Sequence, residues 1–86
     1  MRELERTLKA LANRRRLAIL KYLKEKKEAT VGDIASEIKL SFRSTSKHLS
    51  VLSAADILEK DQRSLRMFYY LAVVQKPAVK HIISLL

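Results

Sequence analysis

Eighty-six residues supply material for one hydrophobic core and not two. Eighteen Lys and Arg face nine Asp and Glu, a formal charge of +9 at pH 7, while 48% of the residues are apolar. That is too apolar for a disordered basic tail, and the charge points to a polyanionic partner. The absence of cysteine excludes disulfide staples, thiolate metal sites and thiol redox chemistry, and two His leave little from which to build another metal site. No apolar run approaches the roughly 18 residues of a membrane span, and no signal-peptide pattern opens the chain. The expectation is a single cytoplasmic domain over residues 1–86, without cofactor or metal, that meets nucleic acid.

Leu4, Leu8 and Leu11 recur at i, i+4, i+7 and predict a short amphipathic first helix. Asn13 reads as a break and as the N-cap of a second helix, Arg14 to about Lys26, with Leu17, Leu20 and Tyr22 or Leu23 inward and Ile19 alongside. Thr30, with Asp33 three residues on, starts a short third helix, Val31 to Ile38, burying Ile34, Ala35 and Ile38. Lys39-Leu40-Ser41 makes a tight turn, and Ser41 caps a fourth helix to about Ala55 whose inward stripe is Thr45, Leu49 and Leu52.

After Asp56 the period changes. Ile57–Lys60 and Leu65–Leu71 read as the strands of a hairpin, joined by Asp61-Gln62-Arg63-Ser64, with Leu65, Met67, Tyr69 and Leu71 on one face. Pro77 suits the first turn of a last helix with Val79, Ile82, Ile83 and Leu86 at a 3.6-residue period. The order is helix, helix, short helix, helix, strand, strand, helix. It is a mainly α chain with a β-hairpin, a winged helix-turn-helix whose fourth helix is the candidate reading helix.

The charge is grouped. The segments Arg6–Lys24, Ile38–Ala55 and Gln62–Leu86 contain cations and no acid. The middle one mixes Lys39, Arg43 and Lys47 with small hydroxyl side chains, a combination suited to phosphates and base edges. Arg43 is placed to fork onto guanine, or to clamp a phosphate. Lys47 suits a phosphate, and Ser44 and Ser46 suit base edges or phosphates if they are not plain solvent-facing serines. Ser41 caps, and a capped helix start facing phosphate brings its amides with it. Phe42 fits a thymine methyl or a fold-back onto the wing, and both stay open. His48 sits beside the Thr45–Leu49 stripe, packing there or touching phosphate. Arg63 and Arg66 flank the wing turn, where they enter a minor groove, grip its phosphates, or decorate an ordinary hairpin tip. Phe68 and Tyr70 share a face with Arg66 and need a cover: another subunit, the first helix, or DNA. Arg14, Arg15 and Arg16 oppose a helix dipole, which suggests a backbone contact or an ion pair.

Particular stretches then resemble one family. Leu8–Leu20, reading LKALANRRRLAIL, resembles the opening of ArsR-type winged helix-turn-helix repressors. Asp33–Ser41 resembles that family's third helix and turn, Ser46-Lys47-His48-Leu49 its reading-helix signature, and Phe68–Leu71 its tyrosine-rich wing strand. The resemblance implies a dimeric DNA-binding regulator, with Arg16 in a structural role. The family's thiolate sensors carry cysteines where this chain has Thr30 and Gly32, and its last-helix metal site needs acids where only His81 stands, so no metal response is implied. Glycine is frequent in the family where Asp56 and Ser64 stand; Asp tolerates left-handed geometry, and Ser64 puts the shape of the wing tip in question.

The last helix completes the reading. With the winged core filled by helices and hairpin, Val79, Ile82, Ile83 and Leu86 are surplus, as are Leu4 and Leu8 at the other end. Pairing the terminal helices across a two-fold axis buries both sets, as the resemblance also implies. A homodimeric, sequence-specific repressor on an inverted repeat is the leading expectation. A non-specific architectural nucleic-acid binder and a winged-helix protein-interaction module are the alternatives. An enzyme is not expected, because there is no glycine-rich loop and no His–carboxylate grouping at working spacing.

Overall fold

A computed structural model describes all residues, Met1–Leu86. The elements follow in the order α1 (Arg2–Leu11), α2 (Arg14–Lys26), β1 (Ala29–Thr30), α3 (Val31–Ile38), α4 (Phe42–Ala54), β2 (Leu58–Arg63), β3 (Arg66–Leu71) and α5 (Pro77–Ser84). This is the expected winged helix-turn-helix with one addition. The two residues of β1 pair with β3, making an antiparallel sheet of order β1-β3-β2. A two-residue strand carries no period and exists only through its partner, which is why local pattern does not reveal it.

Helix starts are built by side chains. Asn13 Oδ1 accepts the Arg15 and Arg16 amides at 2.9 and 3.1 Å. Thr30 and Asp33 satisfy each other's backbone amides in a full capping box. Ser41 Oγ accepts the Ser44 amide at 3.1 Å. The turn between α3 and α4 is closed by Lys39 in the left-handed region, φ 54°, with the Leu40 amide donating back to the Ala35 carbonyl. Asp56 ends α4 in the same way, at φ 61°, and the Ile57 amide reaches the Leu52 carbonyl.

One core joins all the helices and the sheet. Ile19, Leu20, Leu23, Ile34, Leu49, Leu52 and Ile57 are fully buried in it. Two expectations need correction, in α2 and α5, whereas in α1 the surplus leucines do stay outside the core. In α2 the inward set is Ile19, Leu20 and Leu23, while Leu17 is only half-buried. In α1 the helix turns Thr7, Ala10 and Leu11 inward and leaves Leu4 and Leu8 45% and 48% exposed. In α5, Val79 (1% exposed) and Ile83 belong to the chain's own core, with Ile82 and Leu86 packed against its edge. Val79 and Ile83 are therefore not surplus: α5 lies against α2 and closes a core that helices α1 to α4 and the hairpin leave open.

The hairpin also differs in detail. Its strands pair in register from Leu58↔Leu71 to Arg63↔Arg66, so Asp61, Gln62 and Arg63 are strand residues and the turn is Ser64-Leu65 alone. Ser64 has φ 57° and Leu65 does not have positive φ, the type II′ pattern that matches strand twist. Leu65 is thus a tip residue, 96% exposed, and not part of the inward face. That face is Tyr69 and Leu71, which pack on the core, with Met67 half-buried beyond them.

Candidate nucleic-acid interface

Burial of Thr45, Leu49 and Leu52 fixes the rotation of α4, and the opposite face follows by geometry. Arg43, Lys47 and Ser50 are on it, exposed, with Ser44 and Ser46 half-buried at its margins, while Phe42 (63% exposed) projects from the first turn on a different side of the helix. Neither Arg43 nor Lys47 forms an ion pair, and the Ser44 and Ser46 hydroxyls make no hydrogen bond within the chain. Ser41 is occupied as the N-cap, so the start of α4 presents ordered backbone amides beside these free side chains. Thr45 is buried and returns its hydroxyl to the Ser41 carbonyl at 2.8 Å.

His48 is held by α2. Arg16 Nε–H donates to His48 Nδ1 at 3.2 Å, and Arg16 also reaches the Lys9 and Ala10 carbonyls. A ring nitrogen that accepts is unprotonated, so His48 is neutral with its proton on Nε2. Burial, then the charges of Arg16 and Arg15, hold its pKa below the ordinary histidine value. Arg16 is thereby a structural bracket between α1, α2 and α4.

The basic segment Arg6–Lys24 resolves into two groups. Arg6 donates to the Ala54 carbonyl (2.6 Å), Arg15 to that of Ile38 (3.3 Å) and Lys24 to that of Ile83 (3.2 Å). Each sits at the C-terminal end of another helix, where carbonyls lack partners and the dipole favours a cation. Arg14 alone of the arginine triplet is exposed without a partner. Much of the acid-free charge before α3 therefore ties helices together and is not free for a polyanion.

At the wing, Arg63 is engaged. Its Nη1 and Nη2 donate to Glu28 at 2.6 and 2.8 Å, its Nε to Asp61 at 3.1 Å, and its guanidinium lies 4.6 Å from the Phe68 ring centroid. Arg66 is exposed without a carboxylate and lies 5.2 Å over the same ring. Within the chain, Phe68 is flanked by two guanidinium groups of its own hairpin. Phe42 faces a cleft of about 330 Å³ shared with Thr30, Val31, Leu65, Arg66 and Met67, which brings the front of α4 and the wing tip to one side of the molecule. Leu65, expected on the inward strand face, stands instead at this surface, because the turn falls at Ser64-Leu65. Glu28 is the residue here that sequence reasoning missed: nothing local marks it, since it is 35 positions from Arg63.

A family described as a helix-turn-helix domain matches residues 11–61. The transcriptional activator HlyU of Vibrio cholerae serotype O1 is 37% identical over 79 residues, 92% of this chain and 69% of that protein. The structure of reduced HlyU superposes with a TM-score of 0.82 at 34% identity, covering 96% of this chain and 83% of that one. Mb0332 of Mycobacterium bovis, a homodimeric winged helix-turn-helix DNA-binding domain and possible ArsR-family regulator, gives 0.81 at 30% identity over 96% and 73%. The transcriptional repressor PagR of Bacillus anthracis gives 0.80 at 27% identity over 98% and 92%. With its fold, its reading helix and these relatives, the chain belongs to the ArsR-type winged helix-turn-helix family of DNA-binding transcriptional regulators.

Proposed function

We propose that the protein is a homodimeric, sequence-specific repressor that covers an inverted-repeat operator. The observation carrying this reading is the exposed side of α4: Arg43, Lys47 and Ser50 face outward without an acid among them, and Phe42 in the first turn stands against the wing tip. In this reading α4 enters the major groove, with Arg43 on a base edge, Lys47 on phosphate, and Ser44 and Ser46 on either. The free Phe42 and Arg43 amides at the start of α4 take a phosphate, His48 offers its Nε2–H, and Arg66 leads the wing toward the minor groove.

The dimer rests on Leu4 and Leu8, exposed on α1 although regularly spaced, together with Leu85, Ile82 and Leu86 at the end of α5. Met1, Leu4, Leu8 and Ala12 line a shallow apolar depression of about 300 Å³. Such a surface suits burial against a second copy, and Mb0332 is described as homodimeric. Two reading helices then stand about 34 Å apart, one turn of DNA. Repression follows from occupying promoter DNA and is the sign named for PagR; the opposite sign is named for HlyU.

Selection of bound sequences from random DNA tests this. The expected result is an enriched palindrome with half-sites one helical turn apart, and a reporter driven by such a site that falls when the protein is expressed. No enrichment would point to a non-specific binder, and a rise in the reporter would make it an activator.

A further inference from the structure

The outer face of the wing, turned away from the core, follows from its register. Asp61 pairs with Phe68, Arg63 with Arg66, and Thr30 of β1 with Phe68 from the other side. Paired residues share a face, so Asp61, Arg63, Arg66 and Phe68 stand together there, and Arg63 crosses the Phe68 ring to reach Glu28 ahead of β1. The two wing arginines are thus in opposite states: Arg66 is free of carboxylates, whereas all three nitrogens of Arg63 point at oxygens of Glu28 or Asp61.

We infer that Glu28 holds Arg63 off the nucleic acid and thereby sets the affinity of the wing for DNA. This rests on the reading of the wing as a DNA contact. A phosphate needs the same planar fork that Glu28 occupies, so the two acceptors exclude each other on Arg63. The ion pair is also weak enough to exchange, because both side chains are substantially exposed, 47% and 40%. Arg63 passes from carboxylate to phosphate by turning within reach of both, without refolding the hairpin. Until it does, the bound wing presents one usable guanidinium and two carboxylates. Glu28 is a positioning residue in this scheme, since it acts on DNA only through Arg63.

The experiment uses the full chain and the duplex enriched from random DNA, with affinities measured across a series of salt concentrations. Glu28→Gln is expected to bind about threefold tighter per subunit, about tenfold for a dimer. Its log–log salt slope is expected to steepen by about 0.9 for each arginine released. In an Arg63→Gln background the Glu28→Gln gain should vanish. Glu59→Gln removes a charge from the same strand without touching Arg63, and its smaller gain should survive in that background. Unchanged or weaker binding by Glu28→Gln overturns the inference and makes the pair a brace that pre-shapes the wing. A Glu28→Gln gain that persists with Arg63→Gln also overturns it, leaving simple charge removal. If the wild-type chain enriches no sequence, the reading of the wing falls with it; an enriched sequence with either adverse result removes only the role of Glu28.

Discussion

Arg43 and Lys47 are cations one helical turn apart on α4, yet their expected contributions differ in kind. Arg43→Ala should cost about 1–3 kcal/mol on the selected duplex and relax base choice at one position per half-site. Lys47→Ala should weaken selected and scrambled duplexes alike and reduce the salt slope by about 1 per subunit, read by titration at several salt concentrations. His48 yields a pH prediction. Its folded pKa lies below that of the unfolded chain, which takes the proton near the ordinary value of about 6.5. Between those two values the unfolded state binds more protons, so stability is complete above about 6.5 and declines as pH falls through the window toward the folded value. Thermal melts at pH 7.5 and 5.5 should therefore differ, and His48→Asn, which keeps an acceptor for Arg16, should narrow the difference. At this scale sequence and structure diverge most. The basic run Arg6–Lys24 marks where charge lies, but the partners of Arg6, Arg15 and Lys24 are carbonyls 48, 23 and 59 positions away, and only the fold brings them into reach.

Elements with their own caps were legible in advance. Asn13, Thr30 and Ser41 announce three helix starts because each supplies an oxygen to amides within three residues, a local transaction independent of the rest of the chain. The apolar period of α4 likewise fixes its inward stripe, and so its reading face. Where an element depends on a distant partner, pattern fails: β1 is invisible without β3, and Asp61-Gln62-Arg63 looks like a loop although each residue pairs across the ladder. α5 shows the same dependence on context. Its period is correct, but whether Val79 and Ile83 meet their own core or another subunit is set by the volume left between α2 and the sheet. The wing tip offers a direct check on the turn. Ser64 holds φ 57°, a region costly for a side chain and free for glycine. Ser64→Gly should raise stability by about 0.5–1 kcal/mol, seen as a Tm gain of a few degrees, with the fold unchanged.

Over the whole molecule, the formal +9 divides between internal and external work. Arg6, Arg15, Arg16 and Lys24 stitch helices together, Lys76 pairs with Glu3 and Arg63 with Glu28, while Arg43, Lys47 and Arg66 are left free on the side of α4 and the wing. These three add positive charge to the face proposed to dock, while other cations such as Arg2, Lys26, Lys60 and Lys80 also stand without a carboxylate. One such face gives one half-site; the exposed leucines of α1 are proposed to supply the second by pairing two copies. Leu8→Glu should therefore yield a folded monomer by sedimentation, with affinity for the full palindrome reduced at least about 100-fold while a single half-site is bound nearly as before. The central claim is that the free α4 face reads sequence. It is tested most directly by titrating the wild-type chain with the selected duplex and a scrambled duplex of equal length and composition, at 50 and 200 mM salt, about the range over which phosphate contacts lose most of their strength. The account predicts that affinity for both falls with salt while a preference of about a thousandfold or more for the selected duplex persists. Equal affinities that fall together would contradict it.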